Sequence, residues 1–241
     1  MDAIILGDGG LGRAIETAFL GRGDRVRIIG RPLDGRHDPA SFAGADVLLE
    51  ASRGEAVADN VQAALEAGIR RLVVGTTGWD ADRSRVEAAL RDADAAAVVA
   101  PNLSLGAALF FRLVDAAAAL YGRVGTFDPY LVEWHRRTKR DRPSGTAREL
   151  VARLARATAR DATDLEVAVV RAGSSPGMHL VGFDAPGETV ELRITARDRS
   201  AYAAGAVAAA DWLSLEPRAP GIHTFDPVVD GLLAAPLTAA A

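Results

Sequence analysis

A doubly wound parallel α/β sheet, interrupted by an inserted α+β domain with an open mixed sheet, is the fold class that this sequence predicts. Three observations lead there. The chain opens on an apolar run, Ala3-Ile4-Ile5-Leu6, followed at once by Gly7-x-Gly9-x-x-Gly12 and a helical stretch to about Arg22. Short apolar runs then alternate with helical stretches to about Tyr121, as in repeated βα units. After that the alternation stops, and strands follow one another with a single helix among them. The first pattern is that of a Rossmann-type domain, and the second that of a domain inserted into it.

Taken in order, Ala3 to Leu6 reads as a continuous apolar strand, as buried parallel strands do. The glycines after it permit a tight turn, let the backbone approach a pyrophosphate, and let helix pack on strand. Gly7, Gly9, Gly10, Leu11 and Gly12 are therefore candidate cofactor-binding residues. Arg25 to Ile29 is the second strand. Folds that prefer NAD place an acid just beyond it, to bind the ribose 2′-hydroxyl. Here Arg31 stands at the tip with Arg36 nearby, and Asp34 falls late. That arrangement suits a 2′-phosphate, so NADPH is the preferred cofactor, with NADH possible.

Val47 to Glu50 is a strand, Glu55 to Ala67 a helix, and Arg71 to Val74 a strand ending in Gly75-Thr76-Thr77-Gly78. Arg83 to Arg91 is helical, and Ala96 to Ala100 is a strand ending in Pro101-Asn102-Leu103-Ser104. Ligands on such sheets bind beyond the carboxyl ends of the strands. There Gly75, Thr76, Thr77, Pro101, Asn102 and Ser104 would let a nicotinamide ring lie close to the backbone, although each turn alone reads as an ordinary capped turn. A helix from about Ala107 to Tyr121 follows. The strands beyond it are Tyr130 to Trp134, Leu165 to Arg171, His179 to Phe183 and Thr189 to Ala196, with a helix at Ala147 to Ala157. The alanine-rich helix from Ala201 to Leu213 and the tail return to the first domain. The division expected is 1–104 with 200–241 for dinucleotide binding, and 105–199 for the inserted domain.

The densest chemistry lies in Glu133 to Ala147, E-W-H-R-R-T-K-R-D-R-P-S-G-T-A. His135 offers a titratable imidazole and Lys139 a fixed ammonium. Ser144-Gly145-Thr146 stands where a helix begins, so its amides would face an anion under the helix dipole. The bland alternative is a basic, solvated corner with a capped helix.

Composition narrows the classes. The 241 residues carry 49% hydrophobic and 25% charged residues, ordinary for a globular protein. A net charge of −4 gives no global pull toward nucleic acid. The absence of cysteine excludes disulfides, thiolate metal sites and a Cys nucleophile, and fits a reducing compartment. Four scattered histidines have no metal-ligand spacing, so no metal is expected. The chain begins on a strand without a signal sequence, and no apolar run looks long enough to span a bilayer. A cytoplasmic protein with no membrane partner is expected.

Together, Gly7-x-Gly9-x-x-Gly12, Gly75-Thr76-Thr77-Gly78, Asn102-x-Ser104-x-Gly106 and Glu133-x-His135-x3-Lys139-x-Asp141-x-Pro143-Ser144-Gly145-Thr146-Ala147 resemble the dihydrodipicolinate (4-hydroxy-tetrahydrodipicolinate) reductase family. Arg171-x-Gly173, Gly177-x-His179 and Gly205-Ala206-Val207 extend the resemblance over nearly the whole chain. It implies NAD(P)H-dependent reduction of 4-hydroxy-tetrahydrodipicolinate in lysine and diaminopimelate synthesis, and a homotetramer built through the inserted sheet. It further implies His135 as general acid, Lys139 as a substrate-holding, proton-donating lysine, and Ser144, Gly145 and Thr146 as the loop for a substrate carboxylate. A dicarboxylate substrate also accounts for local cations in an acidic protein. The chain departs from the family pattern where Arg136 and Ile194 stand for histidines, where Asp198 stands for a serine, and in a short region between Ala157 and Arg171. Arg136 can bind a carboxylate bidentately. The alternatives are a reductase of a different cyclic imine or unsaturated dicarboxylate and, more remotely, a non-catalytic dinucleotide sensor.

Overall fold

The four apolar residues that open the chain have almost no exposed surface, because β1 (Asp2–Leu6) enters the middle of a parallel sheet. The computed structural model describes residues 1–32 and 35–235; Asp34, considered above as a late acid, lies outside the described residues. β1 runs between β2 (Arg25–Ile29) and β3 (Val47–Glu50), parallel to both. Beyond β3 lie β4 (Arg71–Val74), β5 (Ala96–Val99) and β10 (Gly221–His223), in the order β10-β5-β4-β3-β1-β2. The chain order reverses between β1 and β3, and in such sheets the crevice at that point, at the strands' carboxyl ends, is where ligands bind. α1 (Gly10–Gly21), α2 (Val57–Glu66), α3 (Arg83–Asp92), α6 (Ser200–Leu215) and α7 (Asp226–Ala234) complete this unit, which comprises Met1–Leu105 and Arg199–Ala241. β10 was not predicted: three residues are too few to show any periodicity, and its strand character comes from pairing with Ala96 to Val98.

The other unit, Gly106–Asp198, carries the sheet β7-β6-β8-β9. β6 (Asp128–His135) lies parallel to β7 (Glu166–Arg171) and antiparallel to β8 (Gly177–Ala185), which pairs antiparallel with β9 (Glu188–Ala196). α4 (Leu105–Val124) and α5 (Gly145–Thr158) supply Phe110, Val114, Leu150 and Leu154 to a core with Leu131, Val181 and Phe183. β6 runs one residue beyond the strand predicted, so His135 stands on the sheet rather than in the loop. Its carbonyl accepts from the Ala172 N–H at 3.1 Å.

α4 corrects one expectation. Its 20 residues are long and apolar enough for a bilayer span. It is placed instead with Phe110, Val114 and Ala118 in the core of its unit, and Asp115 accepts from Arg153 of α5 at 2.5 Å. Leu109, Leu113 and Leu120 are exposed.

Close approach of α6 to the turn after β5 depends on glycine. A Cβ on Gly205 of α6 would lie 1.6 Å from the Leu103 carbonyl oxygen, whereas one on Gly187 would meet nothing within 4 Å. Gly205→Ala is expected to cost about 3 kcal/mol or more through overpacking, and Gly187→Ala about 0.5 kcal/mol or less. Equal midpoints for the two variants in urea unfolding would contradict this packing.

Candidate active site

The three glycines of the N-terminal fingerprint do different things. Gly7 has φ +106°, and a Cβ there would lie 2.5 Å from the Ala51 carbonyl oxygen. A Cβ on Gly12 would lie 1.9 Å from the Gly7 oxygen. Both are demanded by packing. Gly9 faces open space, with nothing within 4 Å of where its Cβ would stand. It is the N-cap of α1, with no side-chain capping bond and no acid in the first turn. The first helical bond runs from Arg13 N–H to Gly9 O at 3.0 Å, so the amides of Gly10, Leu11 and Gly12 precede the ladder. This is a fitting place for a pyrophosphate. The Arg199 Nε lies 3.3 Å from where a Gly10 Cβ would stand, adding a cation that the sequence reading assigned no role.

At the end of β2, Arg31 is exposed. Arg36 is engaged elsewhere, 3.5 Å from Asp59, which also holds Arg85 at 2.7 Å. Asp8 brings a carboxylate to this end of the sheet, 4.0 Å from the position of a Gly30 Cβ.

The turn after β4 is anchored from below. Glu50, buried at the end of β3, accepts from Ser52, from Asn60 Nδ2 at 3.0 Å, and from the Thr76 hydroxyl. Burial raises its pKa, and the three hydrogen bonds only partly oppose that. The Thr76 hydroxyl is thus committed inward. Gly75 donates its N–H to the Glu50 carbonyl at 2.9 Å, and Thr77 is exposed. In the turn after β5, the Asn102 Oδ1 accepts from the Ser104 N–H at 2.9 Å; Ser104 is buried and Pro101 exposed.

In the other unit a polar cluster occupies the helix-covered face of the sheet. Alternation along β6 puts Leu131, Glu133 and His135 on that face. Glu133 stands opposite His179 of β8, and His135 opposite Arg171 of β7. Arg171 Nη2 lies 2.6 Å from Glu133 Oε1, and neither side chain has exposed surface. Glu133 Oε2 lies 3.4 Å from His135 Nδ1 and 3.7 Å from His179 Nε2. His179 Nε2 is 3.2 Å from the Ser144 hydroxyl, which caps α5 by accepting from Ala147 N–H.

One expectation changes here. The Ser144 N–H is not available to a ligand, because it donates to Glu133 at 3.1 and 3.2 Å. The protein's own carboxylate has taken the first amide of the cradle, leaving those of Gly145 and Thr146, which open α5 before its first intrahelical bond. Lys139 pairs with Asp141 at 2.8 Å, and Arg136 is exposed. Glu133, Arg171, His179, Glu50 and Arg199 were assigned no role from sequence. Glu133, Arg171 and His179 stand in the motifs quoted above for the family resemblance, and period two along β6 pointed to the buried face of Glu133.

Electrostatics follow from this packing. Burial opposes the charge on Glu133, but the bonds from Ser144 and Arg171 outweigh it and hold the carboxyl below its ordinary range. Burial lowers the His135 pKa, with Lys139 and Arg171 adding to the shift and Glu133 opposing it. His179 is pushed down to about 4, chiefly by burial. The ligand atoms of Glu133, His135 and His179 lie within 4.8 Å of one another, a grouping that linear spacing concealed. The Arg171 guanidinium on Glu133 works against a cation there.

Two family models match the chain: one described as dihydrodipicolinate reductase, N-terminus, over residues 24–103, and one as dihydrodipicolinate reductase, C-terminus, over residues 106–229. The 4-hydroxy-tetrahydrodipicolinate reductase of Archaeoglobus fulgidus is 35% identical over 218 residues, covering 83% of this chain and 81% of its own length. That of Thiobacillus denitrificans is 36% identical over 208 residues, covering 79% and 75%. A solved dipicolinate-bound dihydrodipicolinate reductase from Paenisporosarcina sp. TG-14 superposes with a TM-score of 0.74 at 18% identity, covering 93% of this chain and 97% of that one. That last likeness speaks for the fold alone.

The buried His179 makes stability depend on pH. Its folded pKa of about 4 lies below the ordinary 6.5, so the unfolded chain takes up the proton first. The stability it permits is complete above the ordinary value and falls as pH drops from 6.5 toward 4, by about 2 kcal/mol at pH 5. His179→Gln is expected to remove that part of the loss, measured as unfolding free energy between about pH 7 and pH 5. Parallel pH profiles for the two proteins would contradict the assignment.

Proposed function

The chain belongs to the dihydrodipicolinate reductase family, and on that premise we infer that it is an NAD(P)H-dependent oxidoreductase reducing 4-hydroxy-tetrahydrodipicolinate to tetrahydrodipicolinate in lysine and diaminopimelate synthesis. The observation that carries its residue-level reading is the segment 133–147. It sets a buried imidazole, an ammonium and two uncapped helix amides on one stretch of chain.

The dinucleotide, when bound, supplies the hydride. The chain holds its pyrophosphate on the amides of Gly10, Leu11 and Gly12, with Gly9 leaving the approach open and Arg199 adding positive charge. Gly75, Thr76, Thr77, Pro101, Asn102 and Ser104 form the nicotinamide side. Arg31 meets the 2′-phosphate, which makes NADPH the preferred form.

Loss of the 4-hydroxyl as water leaves an unsaturated ring; hydride addition to that ring then consumes one proton, and His135 supplies it. Its lowered pKa leaves the imidazole mostly neutral in the free protein. A dianionic substrate beside it raises its proton affinity, so the acid is charged as the substrate arrives. Gly145 and Thr146 amides take one carboxylate. Lys139, drawn from Asp141, and Arg136 meet the substrate's remaining negative charge. Support for a homotetramer comes from the sheet face opposite α4 and α5, where Trp134 and Val170 are 39% and 41% exposed. The enzyme works in the cytoplasm.

NADPH oxidation with freshly generated substrate tests the activity. His135→Gln is expected to lower kcat by about 10²–10⁴-fold and leave NADPH affinity unchanged; native kcat would remove His135 from the proton's path. Arg31→Ala is expected to weaken NADPH by about 1–3 kcal/mol while sparing NADH. Unaltered, equal affinities for the two would contradict the preference.

A further inference from the structure

Two buried side-chain nitrogens have no hydrogen-bond partner among the described residues, His135 Nδ1 and Arg171 Nε. Both belong to residues that flank Glu133. Buried polar groups are nearly always satisfied, so a coincidence of two such atoms around one carboxylate calls for a cause. Nδ1 faces Glu133 Oε2 at 3.4 Å, just beyond a good hydrogen bond for a neutral ring. A second proton on the ring makes that contact charge-assisted, and such bonds are shorter and stronger. The other ring nitrogen, Nε2, lies over Gly177, where a Cβ would come within 2.9 Å of it. The ring is thus held between a carboxylate on one edge and a residue without a side chain on the other.

The same carboxylate receives the Ser144 N–H at 3.1 and 3.2 Å, and Ser144 is the N-cap of α5. Arg171 supports it from behind: Nη2 bonds Glu133 Oε1 and the Asp141 carbonyl, each at 2.6 Å, and so ties the carboxylate to the loop that carries Lys139.

We propose that Glu133 is a positioning residue for both halves of the substrate site, orienting the His135 imidazole through Oε2 and the start of the Gly145–Thr146 anion cradle through the Ser144 N–H. Proton donor and carboxylate anchor are then set by one side chain, and an error in its placement disturbs both. The proposal rests on the reading of His135 as the acid. It adds that Glu133 fixes which nitrogen carries the transferable proton: an anion on Nδ1 keeps that nitrogen protonated and leaves Nε2 to exchange, as in other carboxylate-oriented histidines.

The charged and titratable groups around His135 are Glu133 on its own strand, Arg171 on β7, His179 on β8, and Lys139 and Asp141 in the loop. Arg148 of α5 is turned onto the Pro143 carbonyl at 2.5 Å. Of these, Glu133 is the anion in direct ion-pair contact with the ring. Removing its charge lowers the proton affinity of His135. Activity that needs protonated His135 is lost as pH rises through its pKa, so that loss moves to lower pH.

The test is the pH dependence of kcat and KM for the full-length protein and Glu133→Gln, with NADPH affinity measured alongside. The expected result is a kcat lowered at least about 10-fold, with its alkaline limb displaced by about one pH unit to lower pH. KM for the dicarboxylate is raised and NADPH affinity unchanged. Glu133→Asp, which restores the charge, is expected to return the limb toward native pH. A folded Glu133→Gln with native kcat and an undisplaced limb overturns the proposal, as does one altered only in unfolding midpoint. Should Glu133→Gln fail to fold, the native protein decides through imidazole ¹⁵N NMR of His135: a neutral ring protonated on Nδ1 upholds the proposal, and one protonated on Nε2 overturns it. Failure of the parent reading looks different, as a native protein without turnover or a His135→Gln variant with native kcat.

Discussion

A carboxylate with no exposed surface can keep its charge only if the surrounding chain is arranged to hold it. Glu133 imposes that condition on the second unit. An unpaired ion at such a site costs several kcal/mol. It is met by Arg171 from β7 and the Ser144 amide from the start of α5, with the His179 ring of the facing strand 3.7 Å away. Three strands and a helix terminus are therefore tied to one side chain. Buried ion pairs of this kind add little net stability over well-packed apolar residues. What this one supplies is position: the imidazole, the helix cap and the lysine-bearing loop all take their places from it.

The two buried glutamates make an instructive contrast. Glu50 is surrounded by neutral donors from Ser52, Asn60 and Thr76, and burial still raises its pKa. Glu133 has a guanidinium in place of one such donor, and its pKa falls. At Glu50 neutral hydrogen bonds only partly replace lost hydration, whereas at Glu133 the Ser144 bonds and an opposite charge at 2.6 Å together outweigh the loss. One carboxyl is inclined to be an acid within a turn-stabilising network, and the other is a fixed anion.

Much of the fold was legible because its signals are local. Ala3 to Leu6 and the glycines after it identify a buried strand entering a tight turn, and each later βα unit repeats the pattern within some twenty residues. The concentration of polar chemistry in 133–147 was legible for the same reason, since His135, Lys139 and Ser144 to Thr146 lie close together in sequence. What remained hidden depends on distant pairing. Arg171 and His179 meet Glu133 only through strand register. Glu50 reads as the polar end of a strand until Thr76, from the next strand's end, reaches it. The cradle was overestimated by one amide because no local rule reveals that Glu133 has claimed the Ser144 N–H.

The interruption of the first unit by the second sets an order on biosynthesis. Residues 106–198 are contiguous and contain all four strands and both helices of their unit. Their whole sequence is available once residue 198 has left the ribosome. The six-stranded sheet cannot be completed then, because α6 and β10 have not yet been translated. Until they arrive, β5 remains an open edge, and the surface against which Ala203, Ala206, Ala209 and Leu213 become buried stays bare. The nascent chain thus still lacks α6 and β10 of the first unit when the whole sequence of the second has been made. Through that interval an unpaired strand edge and an apolar surface are exposed together.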